Sequence, residues 1–451
     1  MHLDPVLARR TQAGSPVVHG MNALLWAFDV FCAAQPDTPL AGASVKFDRF
    51  ILLETDVFLW LSQGRATKLV LRDERGLRLM TIVLNPSASK AQSPQANGLP
   101  WTMPSSFPHV PETPGSHAVS GQSGVLRLCE LTQDYAHLPV RIGIDAINAI
   151  AGLSTLVGMV VPGLHSIYFS VDLLFGETQA SQGLLGYEVL RVQEAFQLID
   201  IGTQAAGLTA LVKAFFRPPP TRQPSVCDVR PLVREGEFEQ VKALVIGGSR
   251  GIGEVTAKIL AAGGADLAIT YAVGKHDAQG VADDIVANGS HCAVLQLDAN
   301  QAIAPQLSGS LSFIPDVIFY FATTKIFLQN EGLFDAQAFA RFSHVYVNAF
   351  GELCNFAAAL EAPVALFYPS STALDERPKN MTEYAMAKAA GEILCADAER
   401  ACPRLHIKTE RLPRLLTDQT ATVSIVETTP IVPLMLSILR SMDICGSNRK
   451  D

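Results

Sequence analysis

Hydrophobic positions in the first 216 residues follow a pattern that occurs twice. The run HGMNALLWAFDVF has helical spacing and is followed, after a break at Pro39, by the strand-like run ASVKFDRFILL. The run AINAIAGLSTLVGMV repeats this arrangement, with a break at Pro162 before the strand-like run SIYFSVDLLF. From Ser44 to Ser166 the period is 122 residues, so the repeat has the size of a small domain.

Three further strand-like segments follow in each copy. They are VFLWLSQG, ATKLVLRD and LRLMTIVL in the first copy, and YEVLRVQ, AFQLIDIG and LTALVKAFF in the second. A long apolar helix combined with several antiparallel strands predicts an α+β unit in which a sheet wraps around the helix.

From Val241 onward, predicted strands and helices alternate. The apolar run VKALVIG suits a strand that is covered on both faces, and EVTAKILAAGGA follows it with helical spacing. Alternation of this kind predicts an α/β domain built on a Rossmann-type, doubly wound parallel sheet. The chain is therefore expected to be multidomain, with the α+β part first.

Two segments rich in Pro, Ser and Gly divide the chain. One begins PSASKAQSPQANG at residue 86, and the other is RPPPTRQPS, beginning at residue 217. We expect a first repeat over residues 1–85, a linker over 86–124, a second repeat over 125–216, a linker over 217–239 and the α/β domain over 240–440.

Composition and charge narrow the function classes. The net charge of −8 comes without clusters of Lys and Arg, which argues against a nucleic-acid partner. The eight cysteines form no C-x-x-C pair, which is typical of reduced thiols in a cytoplasmic protein and speaks against a metal site. The most membrane-like run, residues 146–161, is shorter than the roughly 20 residues of a span and predicts a buried helix. We also expect no secretory signal peptide.

The sequence VKALVIGGSRGIGE carries the spacing G-x-x-x-G-x-G at Gly247, Gly251 and Gly253. Glycine permits a tight turn and lets the backbone approach a pyrophosphate, whose charge the helix N-terminus attracts. A strand before these glycines and a helix after them predict a dinucleotide site. The other loop residues that we expect to line it are Ser249, Arg250 and Ile252.

The residues after the second predicted strand favour NADP(H) over NAD(H). An acid at this position would bind the ribose 2′-hydroxyl of NAD, but the strand ends in Thr270 and Tyr271. Arg250 and Lys275 lie near enough in the sequence to bind a 2′-phosphate. The third predicted strand ends at Asp298.

The segment PVALFYPSSTALDERPKNMTEYAMAKAAGEIL carries the candidate catalytic residues. Tyr384 and Lys388 lie one helical turn apart and therefore share a helix face. We expect the Lys388 ammonium to lower the pKa of the Tyr384 phenol, which favours proton transfer near neutral pH. Ser371 lies 13 residues before Tyr384, where its hydroxyl could bind a substrate carbonyl oxygen.

On these motifs, residues 240–440 resemble the short-chain dehydrogenase/reductase family. The resemblance implies that Ser371 polarises the carbonyl, that Tyr384 transfers the proton, and that Lys388 tunes the tyrosine and holds the nicotinamide ribose. It also implies that Asn348, in YVNAFGEL, supports a proton-relay water. The other residues that it places against the cofactor are Asp298, Ala299 and Ala322.

Four features depart from the family pattern. Ile246 stands where a threonine usually precedes the first glycine, YFAT at 320–323 replaces N-N-A-G, and PR at 413–414 replaces P-G. The tail after PIVPLMLSILRSM is short for the family's final strand. These departures put the cofactor loop and the substrate pocket in question more than the chemistry.

The opening MHLDPVLARRTQAGSPVVHGMNALLWA resembles the MaoC-like hydratases of the hotdog superfamily. The second copy, with VGMVVPGLHSIYFSVDLLF, resembles the same family, so residues 1–216 are expected to form a double hotdog. His2 matches the motif histidine, but the motif's catalytic aspartate would precede residue 1. Either the natural start lies upstream or this half is structural. We expect His19 to pack at a helix entry and His165 to be structural.

Together, the two resemblances imply a cytoplasmic NADP(H)-dependent reductase that acts on a 3-oxoacyl thioester of CoA or acyl carrier protein. The first half would act as a 3-hydroxyacyl dehydratase or enoyl hydratase, or bind the acyl group, and a homo-oligomer is expected. One alternative is a sugar or small-ketone reductase with a structural first half. Another is a non-catalytic NADP-binding scaffold.

Overall fold

The computed structural model describes residues 5–11, 13–64, 66–85, 111–113, 115, 119–131, 134–176, 183–205, 207–326, 333–420, 426–442 and 444. The chain folds as two compact units, and the main division lies between Pro219 and Pro220. His2 and most of the predicted linker over 86–124 lie outside the described residues.

In its described residues, the first unit combines nine strands with four α-helices. Its strands are β1 (Gly42–Phe47), β2 (Val57–Gln63), β3 (Thr67–Asp73), β4 (Arg78–Asn85), β5 (Ser123–Arg127), β6 (Ser166–Phe175), β7 (Leu184–Gln193), β8 (Leu198–Ala205) and β9 (Leu208–Phe216). Its helices are α1 (Pro5–Ala8), α2 (Gly20–Ala34), α3 (Leu138–Ile142) and α4 (Ile144–Thr155), and a π-helical turn (Leu156–Val160) continues α4.

The strand order in this unit reflects the repeat in the sequence. The nine strands form one antiparallel sheet in the order β2-β3-β4-β1-β6-β9-β8-β7-β5. In each copy, the strand after the long helix lies at the centre and the third strand after it lies beside it. The central pair, β1 and β6, joins the two copies, with Ser44 opposite Asp172. The superfamily assignment itself stays a prediction.

The two long helices supply the core of the first unit. α2 and α4 contact each other, and α4 also contacts β7, β8 and β9. Leu24 and Phe28 of α2 and Ile147 and Ile150 of α4 are fully buried in one apolar cluster with the inner side chains of the sheet. Their spacing of three or four residues places them on one face of each helix. The segment 146–161 is thus largely a buried core helix.

The second unit alternates strands and helices. Its strands are β10 (Lys242–Ile246), β11 (Asp266–Tyr271), β12 (Cys292–Gln296), β13 (Val317–Tyr320), β14 (Val364–Ser371) and β15 (Leu405–Leu412). Its helices are α5 (Val226–Val229), α6 (Gly251–Ala262), α7 (Lys275–Ala287), α8 (Ile303–Leu307), α9 (Ala336–Ser343), α10 (Phe350–Ala358), α11 (Ala373–Glu376), α12 (Thr382–Ala401) and α13 (Ile431–Ser441). A π-helical turn (His344–Ala349) joins α9 to α10.

The predicted parallel sheet is confirmed. Its six strands run in the order β12-β11-β10-β13-β14-β15, which is the strand order of doubly wound nucleotide-binding folds. Neighbouring residues of β10 enter different cores, since Ala243 and Val245 pack in one apolar cluster and Leu244 and Ile246 in another. The sheet is therefore covered on both faces, which explains why residues 243–246 of β10 are all apolar.

No helix in the described part of the chain is both long enough and apolar enough to cross a membrane.

Candidate active site

The glycine turn links β10 to α6 and depends on glycine at two positions. Gly247 has φ +78°, and a Cβ on it would lie 2.9 Å from the carbonyl carbon of Phe321. A Cβ on Gly253 would lie 2.3 Å from the Gly247 carbonyl oxygen. The turn therefore packs backbone against backbone, and α6 begins at Gly251 with its first N–H groups at the carboxyl edge of the sheet.

The side chains beside this turn have partners of their own. The Gly247 N–H donates to the Thr270 hydroxyl over 3.1 Å, so the residue at the end of β11 holds the turn itself. The Arg250 guanidinium lies 3.6 Å from the Asp418 carboxylate. Lys275 is exposed at the first position of α7. Ser249 and Ile252 are half-buried in the turn and the first turn of α6.

The predicted adenine-side residues follow β12. The carboxylate of Asp298 accepts hydrogen bonds from the backbone and side-chain N–H groups of Asn300, both over 2.9 Å. Ala299 is buried, and Ala322 is half-buried just after β13. Because β10, β12 and β13 are parallel strands of one sheet, their carboxyl ends lie at the same edge as the glycine turn.

Ser371 and Tyr384 meet at this edge as well. Ser371 is the last residue of β14, and its hydroxyl accepts a hydrogen bond from the Ala373 N–H over 3.2 Å. The Tyr384 phenol, buried in the first turn of α12, lies close enough to the Ser371 side chain for that group to lower its pKa. A substrate carbonyl oxygen placed between these hydroxyls would contact both.

Lys388 lies one turn after Tyr384 on α12 and is buried. Its ammonium donates to the Pro369 carbonyl over 2.6 Å and lies 6.0 Å from the centre of the Tyr384 ring. Burial lowers the pKa of Lys388 to about 7, while the Cys395 and Glu392 side chains oppose that shift. The lysine therefore titrates near neutral pH.

The expected lowering of the Tyr384 pKa differs from what the structure gives. Burial is the dominant cause and raises the pKa of Tyr384, and the hydrogen bond to Ser371 offsets part of that rise. Spacing on a helix places the ammonium on the correct face but does not anticipate the desolvation of the phenol. The phenol is consequently protonated at neutral pH, as a proton donor must be.

The remaining residues singled out in the sequence are Asn348, His19, His165 and His2. Asn348 lies in the π-helical turn before α10 and is exposed. His19 immediately precedes α2, and its carbonyl accepts the Ala23 N–H over 3.2 Å. His165 lies beside Arg217, and its pKa is lowered by burial and by that guanidinium. His2 lies outside the described residues.

Sequence reasoning missed a group of tyrosines around Lys388. The Lys388 ammonium lies 3.9 Å from the ring centre of Tyr346 and 4.9 Å from that of Tyr368. Tyr320 occupies the first position of the segment that replaces N-N-A-G, and its hydroxyl donates to the Val345 carbonyl over 2.7 Å. That replacement was the signal, since a tyrosine there must direct its hydroxyl to a buried partner.

A second group that the sequence did not reveal lies one turn further along α12. The Arg411 guanidinium binds both carboxylate oxygens of Glu392, over 2.8 and 2.7 Å. Glu392 also accepts from the Ser370 hydroxyl over 2.5 Å, and Arg411 reaches the Asp375 carboxylate over 2.7 Å. These charge-assisted bonds join α12 to β14 and β15 beside the candidate catalytic residues.

Comparison with known proteins gives limited similarity. No family model matches the chain. An uncharacterised oxidoreductase of Methylorubrum extorquens is 29% identical over 102 residues, which is 23% of this chain and 39% of that protein. The chain thus covers about two fifths of the length of this curated relative.

Similar solved structures cover a little under half of the chain. A short-chain dehydrogenase from Burkholderia cenocepacia is 24% identical, with a TM-score of 0.40, and the match covers 46% of this chain and 91% of that one. A short-chain dehydrogenase/reductase from Serratia marcescens is 21% identical, with a TM-score of 0.40 and the same coverage. The angucycline ketoreductase LanV is 19% identical, with a TM-score of 0.41, and covers 47% and 91%. The first and third of these structures contain NADP.

Proposed function

We propose that residues 240–440 form an NADP(H)-dependent carbonyl reductase of the short-chain dehydrogenase/reductase type. The observation that carries the proposal is that the Ser371 side chain lies beside the buried Tyr384 phenol, with Lys388 one turn along the same helix. These groups lie at the carboxyl edge of the parallel sheet, where doubly wound folds bind their ligands.

The glycine turn suits a dinucleotide. The absence of a Cβ on Gly247 and Gly253 lets the turn pack tightly against its own backbone and that of Phe321, and the first N–H groups of α6 favour a pyrophosphate. Arg250, beside Asp418, and the exposed Lys275 are the cations near the end of β11, which favours a 2′-phosphate and hence NADP(H). When bound, NADPH supplies the hydride for the carbonyl carbon.

The chain's own residues handle the oxygen and the proton. Ser371 holds the substrate oxygen beside the Tyr384 phenol, which donates its proton as the alkoxide forms. Burial raises the pKa of Tyr384, so the phenol carries the proton that it donates to the substrate oxygen. The Lys388 ammonium, held by the Pro369 carbonyl, stabilises the tyrosinate that remains.

For the substrate, we favour a 3-oxoacyl thioester of CoA or acyl carrier protein. The support is the repeated first unit, in which the strand order recurs about the β1–β6 pair as expected for a double hotdog. Such a unit would bind the acyl group or interconvert 3-hydroxyacyl and 2-enoyl thioesters, and linking the two units would raise the local concentration of the shared intermediate. A homo-oligomer in the cytoplasm belongs to the same proposal.

Purified protein with NADPH and acetoacetyl-CoA tests this function directly. We expect NADPH oxidation with acetoacetyl-CoA, slower turnover with NADH, and loss of turnover in Tyr384→Phe. Turnover with sugars or simple ketones alone would reject the thioester substrate. NADPH binding without reduction of any carbonyl would favour a non-catalytic scaffold instead.

A further inference from the structure

Tyr346 occupies a central position among the candidate catalytic residues. It projects from the π-helical turn His344–Ala349 and is buried. Its ring centre lies 3.9 Å from the Lys388 ammonium, and its ring meets that of Tyr384 edge to face, with 5.6 Å between centres and 85° between planes. Its hydroxyl lies 2.7 Å from the Thr323 hydroxyl. One side chain therefore contacts both residues of the Y-x-x-x-K pair.

The position of Tyr346 is fixed by hydrogen bonds to its own turn. The Tyr320 hydroxyl donates to the Val345 carbonyl over 2.7 Å, and the Tyr368 hydroxyl donates to the Tyr346 carbonyl over 3.1 Å. Both carbonyls belong to a turn whose hydrogen bonding departs from that of an α-helix, so side-chain donors satisfy them. A Cβ on Gly391 would lie 1.9 Å from the Tyr368 hydroxyl oxygen, so glycine in α12 makes this contact possible.

The surroundings of Lys388 make the ring of Tyr346 important for its charge. The groups that face the ammonium are Tyr346 from the π-helical turn, Tyr368 and the Pro369 carbonyl from β14, and Tyr384, Glu392 and Cys395 from α12. Burial disfavours the charged form, whereas the negative face of an aromatic ring attracts it. Tyr346 is the nearest of the three rings, so its contribution is expected to be the largest.

We propose that Tyr346 is a positioning residue whose ring face holds the Lys388 ammonium and whose contact with Tyr384 sets the depth of the phenol. This inference deepens the proposed reductase function and rests on it for its catalytic meaning. The contact itself is a property of the folded chain.

A titration of Lys388 tests the contact without any turnover. In protein labelled with 13C at lysine Cε, the Lys388 signal is the one that Lys388→Met removes. In Tyr346→Leu, loss of the ring should move its midpoint to lower pH by about 0.5–1 unit, because a cation–π contact of about 1 kcal/mol favours the charged form. In Tyr346→Phe, which keeps the ring, the midpoint should stay near that of the natural protein.

Phe342→Leu is the matched control. The Phe342 ring stacks on Tyr346 at 6.0 Å and meets Tyr384 at 5.7 Å, so its removal loosens the same cluster while the ring of Tyr346 is kept. We expect it to lower stability without moving the Lys388 midpoint. An unchanged midpoint in Tyr346→Leu, or an equal shift in Phe342→Leu or Tyr346→Phe, would overturn the proposal. If Tyr346→Leu does not fold, Tyr346→Met provides the same test.

Turnover then separates this inference from the proposed function. Tyr346→Leu should lower kcat by about 10- to 100-fold, while Tyr346→Phe stays within about threefold of the natural protein. If the natural protein reduces no carbonyl, the reductase proposal fails, and the Lys388 titration still decides whether the contact exists. If the natural protein is active and Tyr346→Leu retains its kcat, the positioning role alone fails.

Discussion

The two units differ in how many polar side chains they bury. Among the described residues, the buried polar or charged ones number three in the first unit and seven in the second. In the first unit, Asp73 binds the N–H groups of Arg75 and Leu77 and so secures a turn. In the second, Ser370 at the end of β14 donates to Glu392, and Lys388 of α12 donates to the neighbouring Pro369 carbonyl.

This difference shows which unit carries physical evidence of a reactive site in its side chains. A buried polar group is costly unless it is paired, so a cluster of such groups at one edge of a sheet needs a structural or chemical reason. The second unit offers that evidence in its side chains. The described part of the first unit offers a repeated fold, and its candidate chemistry rests on the resemblance of a motif whose His2 lies outside the described residues.

The largest effect is expected from Tyr384→Phe. Removing the phenolic hydroxyl takes away the proposed proton donor, so kcat for carbonyl reduction should fall by about 10²- to 10⁴-fold while the fold is kept. Steady-state kinetics with NADPH measures this. Tyr187→Phe, which removes a buried hydroxyl from the first unit, is the matched control and should keep the natural kcat. Equal kcat in both variants would place the chemistry elsewhere.

The next effect is on cofactor affinity. In Gly253→Ala, the new methyl would lie 2.3 Å from the Gly247 carbonyl oxygen, so the turn must move. We expect the Kd for NADPH, measured by fluorescence titration, to rise by about tenfold or more. Gly280 of α7 has nothing within 4 Å of a Cβ, so Gly280→Ala should leave the Kd unchanged. Similar affinities in the two variants would show that the turn does not bind the cofactor.

The same comparison shows how much of each unit could be predicted from the sequence. Periodicity predicted four strands in each repeat of the first unit and β10, β11 and β12 of the second, because an element that buries one face repeats its apolar residues at a fixed period. It did not predict β5, which begins within the expected linker. The helical spacing of Tyr384 and Lys388 placed both residues on one face of α12. The glycine spacing predicted the turn between β10 and α6, and the structure gives the steric reason at Gly247 and Gly253.

The periodicity of the sequence could not predict that tyrosines surround Lys388. Tyr320 and Tyr368 fit apolar strands as bulky side chains, and nothing in the strand pattern reveals the carbonyls that their hydroxyls reach. Those carbonyls lie in a π-helical turn, where the helical phase changes and a period of 3.6 no longer predicts which way Tyr346 points. The direction of the Tyr384 pKa shift was missed because burial depends on this packing.

A substitution in the core of the first unit should lower the free energy of unfolding without changing the affinity for NADPH. Ile150 of α4 is fully buried, so Ile150→Ala should lower the free energy of unfolding by about 2–5 kcal/mol through lost contacts and a cavity. Ile144 begins the same helix and is 55% exposed, so Ile144→Ala should change it by less than about 1 kcal/mol. Urea unfolding measures both. We expect NADPH affinity to be unchanged, and a weakened affinity in Ile150→Ala would contradict the separate cores.

The last expected effect is a pH dependence of stability that comes from Lys388 in the second unit. Lys388 has a folded-state pKa lowered to about 7, against about 10.4 for an unfolded lysine. Between these values the unfolded chain binds a proton that the folded chain does not, so this residue makes stability rise with pH over that window. Lys388→Met removes the dependence. Its stability relative to the natural protein should be highest near pH 6 and should decline as the pH rises towards 10. Urea unfolding across this range provides the measurement, and parallel stability curves would mean that Lys388 keeps an ordinary pKa despite its burial.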